Sequence, residues 1–146
     1  MTLTLQVPGD CNTLHAALVA AATGATGGFA AFAFATSTGI DTALAEPAVH
    51  KLLGTGQFQL VVGLDAITDT AAVAALRTAK VALPNAAISL FYNPKGGVLY
   101  HPKTMFFKRQ AGGRCLTGSG NLTLGGLRNN WEAFWKADVA AADATA

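Results

Sequence analysis

Two short stretches in the last third of the chain decide its predicted fold and chemistry: residues 101–103 read His-Pro-Lys, and residues 118–123 read Gly-Ser-Gly-Asn-Leu-Thr. In the first stretch an imidazole and an ammonium stand two residues apart, so on an extended strand both side chains point to the same face. From that position the imidazole can attack phosphorus while the ammonium neutralises phosphate charge. The pair therefore indicates phosphoryl chemistry and not only packing.

His101 is the predicted nucleophile, because a neutral imidazole can attack a phosphodiester and form a phosphohistidine that water then hydrolyses. Lys103 is predicted to hold a non-bridging phosphate oxygen in the transition state. Taken singly, a structural histidine at a strand end and a solvated lysine are the alternatives. His15 and His50 lie in helix-prone stretches without such partners, and we interpret both as structural or exposed.

The glycine-rich stretch supplies the next two predicted catalytic groups, Ser119 and Asn121. Its backbone N–H groups can approach a phosphate closely, while the hydroxyl and the amide donate hydrogen bonds to it. A glycine-rich turn before a short helix is the alternative interpretation. The remaining residues of the predicted site are assigned to substrate binding: Gly118, Gly120, Thr123, Lys95, Lys108, Arg128 and Asn130.

Glu132, which follows the glycine-rich stretch, is the fifth predicted catalytic residue. Its carboxylate can accept a hydrogen bond from an imidazole N–H and so fix the tautomer of His101, or of the same histidine in a second subunit. The alternative is an ordinary ion pair with Arg128 or Lys136.

Basic residues are concentrated near these stretches. Residues 1–94 hold three bases and five acids, whereas residues 95–136 hold seven bases and one acid. The seven bases are Lys95, Lys103, Lys108, Arg109, Arg114, Arg128 and Lys136. They predict a positive field suited to a phosphate-rich ligand such as nucleic acid, with a solvated basic edge as the alternative.

The length of 146 residues predicts one domain, which we assign to residues 1–139, with a flexible tail at 140–146. Hydrophobic residues make up 51% of the chain and charged residues 12%. Much of the surface must then be small residues or be covered by a partner, which favours self-association.

Cys11 and Cys115 lack metal-ligand spacing and are interpreted as reduced thiols, and no metal or cofactor is predicted.

The uncharged stretch 16–40 is long enough to be compared with a membrane span. It consists mostly of Ala, Gly and Thr, with glycines in its middle, and so predicts a buried helix followed by a buried strand. Residues 1–10 have the pattern of a strand and a turn and not of a leader peptide. We therefore expect a cytoplasmic protein with no membrane partner.

Apolar spacing and turn residues predict alternating strands and helices over most of the chain. Strands are expected at 3–7, 29–36, 58–63 and 87–92. Helices are expected at 13–22 with Asn12 as a possible cap, at 41–53, and from an opening at 68–70 to about 82. After a turn at 93–97 we expect strands at 98–107 and 114–117, a short loop or helix near 124–129 and a last strand at 131–139. This alternation predicts an α/β domain with a largely buried sheet.

The two stretches, together with Asn130-x-Glu132, resemble the phosphodiesterase site of the phospholipase D superfamily. The likeness extends to residues 29–39 and 61–63, which look like the second strand with its following turn and the next strand of single-motif members. That branch contains small bacterial endonucleases and the catalytic domains of metal-independent restriction enzymes. The resemblance implies an α-β-α sandwich with a mixed sheet flanked by helices. It also implies a homodimer with one shared active site, since this chain has one copy of the motif and the larger enzymes have two.

The family pattern H-x-K-x4-D places an aspartate where this chain has Lys108. The aspartate is often missing in the restriction-type branch, which has the N-x-E found here. The departure therefore weighs more against lipid hydrolysis than against nuclease activity, and an inactive descendant is a further alternative.

Three functions follow from the resemblance. The leading hypothesis is a metal-independent endonuclease, most readily on DNA, that acts through a phosphohistidine. The second is a phospholipase D-type lipid phosphodiesterase, although no helix shows the basic and apolar division of a membrane-binding element. The third is a non-catalytic nucleic-acid-binding module of a larger restriction or defence system. Because no target-reading module accompanies the site, a separate specificity or helicase/ATPase partner is a further expectation.

Overall fold

A mixed sheet of seven strands forms the body of the molecule in the computed structural model, which describes residues 1–64, 67–95 and 97–141. In chain order the elements are β1 (Thr2–Gln6), α1 (Leu14–Ala22), β2 (Gly27–Phe32), α2 (Ser37–Leu44), α3 (Pro47–Gly54), β3 (Phe58–Gly63), α4 (Thr70–Ala82), β4 (Ala87–Phe91), β5 (Lys103–Arg109), β6 (Gly112–Gly118), a π-helical turn (Gly125–Asn129) and β7 (Glu132–Val139). The predicted tail lies largely outside the described residues.

The strands lie in the order β1-β7-β6-β5-β2-β3-β4. The strands β2, β3 and β4 are parallel, whereas β5, β6, β7 and β1 continue the sheet antiparallel from β2. The parallel half follows from the helical crossovers between its strands, and the antiparallel half from the tight connection between β5 and β6. The predicted α/β fold with a mixed sheet and flanking helices is confirmed.

One face of the sheet carries the hydrophobic core. All four helices contribute to a single buried cluster with the strand residues that face them, such as Phe32, Phe107 and Leu116. The opposite face is also apolar but accessible: Leu3, Leu5, Phe29 and Trp135 are each at least 40% exposed. Burial, and with it most of the hydrophobic stabilisation, therefore comes from the helix-covered face.

Two details of the predicted helices are wrong. The cap of α1 is Thr13, whose Oγ1 accepts a hydrogen bond from Ala16 N at 3.1 Å, and not Asn12. The helix expected over 41–53 is two helices, because Pro47 begins a new one and cannot supply the N–H that a continuous helix requires. The predicted start of α4 is confirmed, with Asp69 Oδ1 accepting from Ala72 N.

Two strands are shorter than predicted. β2 ends at Phe32 and not at Thr36, since residues 33–36 bond to other segments: Ala33 N donates to Pro102 O at 2.7 Å, and Ala35 forms an isolated parallel bridge with Leu122. β5 begins at Lys103 and not at Val98, because Pro102 has no N–H with which to extend the ladder. His101 therefore lies just before the strand.

The uncharged stretch 16–40 forms most of α1, all of β2 and the start of α2. The predicted helix followed by a strand is confirmed, and both are buried on one face, with Phe29 of β2 41% exposed. Over the described ranges, none of the helices has both the length and the apolar character needed to span a bilayer.

Replacing Phe107 by Ala is expected to lower the free energy of unfolding by about 3–5 kcal/mol, because its ring is 1% exposed in the centre of the core. Phe29→Ala on the accessible face is the matched control, with an expected loss of about 1 kcal/mol or less, since its ring is 41% exposed. Urea denaturation of both variants measures the difference. Equal losses would contradict a core confined to one face.

Candidate active site

All five predicted catalytic residues lie at one edge of the sheet. Phe32 at the end of β2 pairs with Lys103 at the start of β5. β6 ends at the same edge, immediately before Ser119, and β7 begins there with Glu132. Strand direction alone therefore places His101, Lys103, Ser119 and Glu132 beside the carboxyl end of β2.

His101 and Lys103 are in direct contact. Lys103 Nζ lies 3.1 Å from Nδ1 and 3.0 Å from Nε2 of the exposed imidazole. The ring of Phe34 meets the imidazole edge to face, with 5.8 Å between centroids. A nucleophilic nitrogen and a cation therefore lie together at an accessible position, with an aromatic wall that limits the movement of the imidazole.

Burial lowers the pKa of Lys103, and the negative charge of Glu132 acts in the opposite direction. The carboxylate of Glu132 accepts a hydrogen bond from Ser119 Oγ, and Ser119 Oγ accepts one from Ala133 N at 3.0 Å. Asn130 Nδ2 also donates to Glu132, at 3.5 Å. Glu132 thus interacts with Ser119, Asn130 and Lys103, and not with Arg128 or Lys136 in the part of the chain described.

Asn121 fastens the glycine-rich stretch to the end of β2. Its Oδ1 accepts from Phe34 N at 3.2 Å, and the next residue, Leu122, donates its N–H to Phe34 O at 3.1 Å. The amide nitrogen of Asn121 is then the group that can donate to a phosphate. Thr123 Oγ1 accepts a hydrogen bond from Gly126 N in the π-helical turn at 3.0 Å.

The two predicted phosphate-binding glycines have packing roles. A Cβ on Gly118 would lie 2.6 Å from Phe134 Cα, and one on Gly120 would lie 2.6 Å from Leu14 Cδ2. Close packing thus accounts for both glycines without a ligand. Their contact with substrate stays a prediction.

Lys108 and Lys95 lie at different edges of the sheet. Lys108 pairs with Gly27 at the start of β2, about 17 Å along the strand from Lys103 at roughly 3.4 Å per residue. Lys95 is exposed in the segment after β4, at the edge where His101 lies. Of these two predicted substrate contacts, only Lys95 is brought to the edge that carries the site.

Arg128 contacts His15 and Glu46 instead of the other predicted site residues. Its guanidinium lies 3.1 Å from His15 Nε2 and 3.6 Å from Glu46 Oε1, and His15 Nε2 lies 3.2 Å from the same carboxylate oxygen. Burial of His15 and the charge of Arg128 lower the pKa of the imidazole, against the opposing effect of Glu46. This cluster joins α1, the α2–α3 connection and the π-helical turn.

Two further arginines of the basic segment also have partners within the fold. Arg109 donates to the carbonyl of Ala20 at 3.0 Å, near the end of α1, and Arg114 pairs with Asp138 at 2.7 Å. The positive charge is consequently distributed around the molecule and not concentrated in one patch at the site.

Sequence reasoning missed Gln6, a fully buried polar side chain. Its Oε1 accepts from Leu14 N at 2.7 Å, and its Nε2 donates to Asn130 O at 3.0 Å. Gln6 thereby holds the segment that leads into Glu132. The alternation along β1 indicated that the apolar residues at 3 and 5 are buried and that Gln6 is exposed. The structure shows the reverse.

Comparison with known proteins gives the fold. No protein-family model and no curated protein sequence matches the chain. Among solved structures, a phospholipase D family member, Nuc from Salmonella typhimurium, matches with a TM-score of 0.60 and 15% identity over 99% of this chain and 87% of that chain.

Two larger proteins contain the same fold. Polyphosphate kinase from Porphyromonas gingivalis has a TM-score of 0.56 and 15% identity over 93% of this chain and 23% of that chain. Yeast tyrosyl-DNA phosphodiesterase has a TM-score of 0.55 and 12% identity, covering 93% and 31%. The chain therefore has the fold seen in a phospholipase D family member, and it corresponds to less than a third of each of these two proteins.

The His15 cluster predicts a pH effect on stability. Because the pKa of His15 in the folded protein lies below its unfolded value of about 6.5, the unfolded state takes up a proton first as the pH falls. Wild-type protein should lose stability below about pH 6.5 relative to His15→Gln, which cannot titrate. Urea unfolding of both proteins across this range measures the effect. A difference in unfolding free energy that does not change with pH would contradict it.

Proposed function

We propose that this domain is a phosphodiesterase of the phospholipase D superfamily that cleaves nucleic acid, DNA foremost, through a covalent phosphohistidine at His101. The observation that carries the proposal is the contact between His101 and Lys103 beside Ser119 and Glu132, at an accessible edge of a fold also found in a phospholipase D family member. Tyrosyl-DNA phosphodiesterase, which shares this fold, supports a phosphodiester as the substrate class.

In the proposed first step, a ring nitrogen of His101 attacks phosphorus. A P–N bond forms and the P–O bond to the leaving nucleoside breaks, with the leaving oxygen taking a proton. Lys103 stabilises the charge that develops on the non-bridging oxygens, assisted by the Ser119 hydroxyl and the Asn121 amide. In the second step water attacks phosphorus and the P–N bond breaks, so that the strand leaves with a terminal phosphate and the imidazole is restored. No step requires a metal ion.

The proton donor for the leaving oxygen is a second imidazole in this proposal. Over the described ranges, the histidines other than His101 are His15, which is held by Arg128 and Glu46, and His50, which is exposed on α3. A homodimer with a two-fold axis through the site would bring the partner's copy of His101 opposite the first, since such an axis duplicates every residue near it. The same imidazole would then deprotonate the attacking water.

His101→Ala is expected to reduce DNA cleavage in excess EDTA by at least about 10³-fold, because the nucleophile is lost. His50→Ala is the matched control and should retain wild-type activity, since this exposed histidine lies on α3. Acid-labile attachment of a labelled DNA strand to wild-type protein, absent from His101→Ala, would identify the phosphohistidine.

Cleavage that survives in His101→Ala would overturn the assignment of the nucleophile. DNA binding without cleavage by wild-type protein under any condition would favour a binding module. Sedimentation as a monomer only, even with DNA present, would contradict the shared site.

A further inference from the structure

A cavity opens at the same edge of the sheet as His101. Because β2, β3 and β4 are parallel, their carboxyl ends all lie at this edge, and the cavity is located where β3 and β4 end. Its volume is about 240 Å³, and it is lined by residues that include Gly63, Leu64, Phe91, Tyr92, Lys95 and Tyr100. This is below the roughly 300–1,000 Å³ of pockets for drug-sized ligands and suits a single flat ring system.

Aromatic rings form one wall of the cavity. Phe91 and Tyr100 stack with 4.3 Å between centroids and 21° between ring planes. Gly63 makes this arrangement possible, since a Cβ there would lie 2.9 Å from Tyr100 Cδ1. Tyr92 lines the same cavity and is 65% exposed, and Phe91 is 42% exposed. The wall thus offers aromatic surface to a ligand.

The chain connects this wall directly to the catalytic pair, because Tyr100 precedes His101. Asn93 orders the segment that carries Lys95: its Oδ1 accepts from Lys95 N at 3.0 Å, and its Nδ2 donates to Val98 O at 3.1 Å. A cation therefore lies beside the aromatic surface, at the end of the sheet that also carries His101.

The distribution of charge favours an unpaired strand as the occupant. Arg109, Arg114 and Arg128 have partners within the fold, and Lys108 lies at the far edge of the sheet. A duplex is bound mainly through many phosphate contacts, and its bases are stacked inside and out of reach. An exposed aromatic surface with few cations is typical of sites that bind single strands through base stacking.

We propose that this cavity binds the base of a nucleotide adjacent to the scissile phosphate, so that the substrate is a single-stranded nucleic acid. The inference rests on the proposed function in that it assigns a substrate class to the same site. Lys95 contacts the phosphate of that nucleotide, and the rings of Tyr92 and Phe91 stack on its base.

Binding is measured by fluorescence anisotropy with labelled oligothymidylate in the His101→Ala background, where turnover is blocked. Tyr92→Ala in this background should weaken binding about tenfold, a typical loss for one base–aromatic stack. Phe29→Ala is the matched control, an exposed ring on β2 outside the cavity, and should leave affinity unchanged. The same strand annealed to its complement should bind at least about tenfold more weakly than the single strand.

Binding of a strand with abasic residues tests the base site separately from the proposed function, because such a strand keeps its phosphates but has no bases to stack. Its affinity should be low and insensitive to Tyr92→Ala. Equal affinity for single strand and duplex, or no effect of Tyr92→Ala on the normal strand, would overturn the base site, whether or not wild-type protein cleaves DNA. Tyr92-dependent binding of single strands without any cleavage by wild-type protein would leave the base site standing and overturn the phosphodiesterase.

Discussion

The connection between residues 33–36 and residues 121–122 is the constraint on which the rest of the site depends. Phe34 bonds to Asn121 and Leu122, and Thr36 N donates to Leu122 O at 3.1 Å. Ala35 N donates to the hydroxyl of buried Thr68 at 3.1 Å, which adds the segment before α4 to the same junction. These bonds join segments some 90 residues apart and fix the glycine-rich stretch against the end of β2. Phe34, held at both its N–H and its carbonyl, is thereby positioned against His101.

The basic side chains fall into two groups: arginines that bond within the fold, and lysines that lie at the edge of the sheet carrying the candidate site. The arginines of the basic segment hold helices and strands together: Arg109 at the end of α1, Arg114 across β6 and β7, and Arg128 between α1 and the α2–α3 connection. Among the described residues, the ammonium of Lys103 lies against the imidazole of His101, and Lys95 is exposed after β4. This division agrees with the chemistry of the two side chains, because a guanidinium suits fixed multidentate contacts and an ammonium adapts to a ligand.

The fold and the proximity of His101 to Lys103 could be predicted from the sequence, because both depend on local pattern. Helix-prone alanines indicated α1, and apolar spacing indicated α4. The spacing of His101 and Lys103 alone predicted that they share a face. The partners of Arg128 could not be predicted in this way, since His15 and Glu46 are distant in sequence and only the packing of α1 brings them near. The alternation in β1 also gave a wrong indication, because Leu3 and Leu5 are exposed. Gln6 is buried, and its amide forms hydrogen bonds with three backbone groups that are distant in sequence or lie outside β1.

The position of Lys108 explains why the missing aspartate of the family pattern has no direct effect on the predicted chemistry. β5 runs away from the reactive edge, so five residues after Lys103 the chain has reached the start of β2, about 17 Å away at roughly 3.4 Å per residue. At that distance and at an exposed position, solvent and salt screen most of the interaction between a side chain at 108 and the phosphate site. An aspartate there would act on the fold around β2 and β6, and not on His101. The residues to which we assign the chemistry lie at the opposite end of the strand, where His101, Lys103, Ser119 and Glu132 meet.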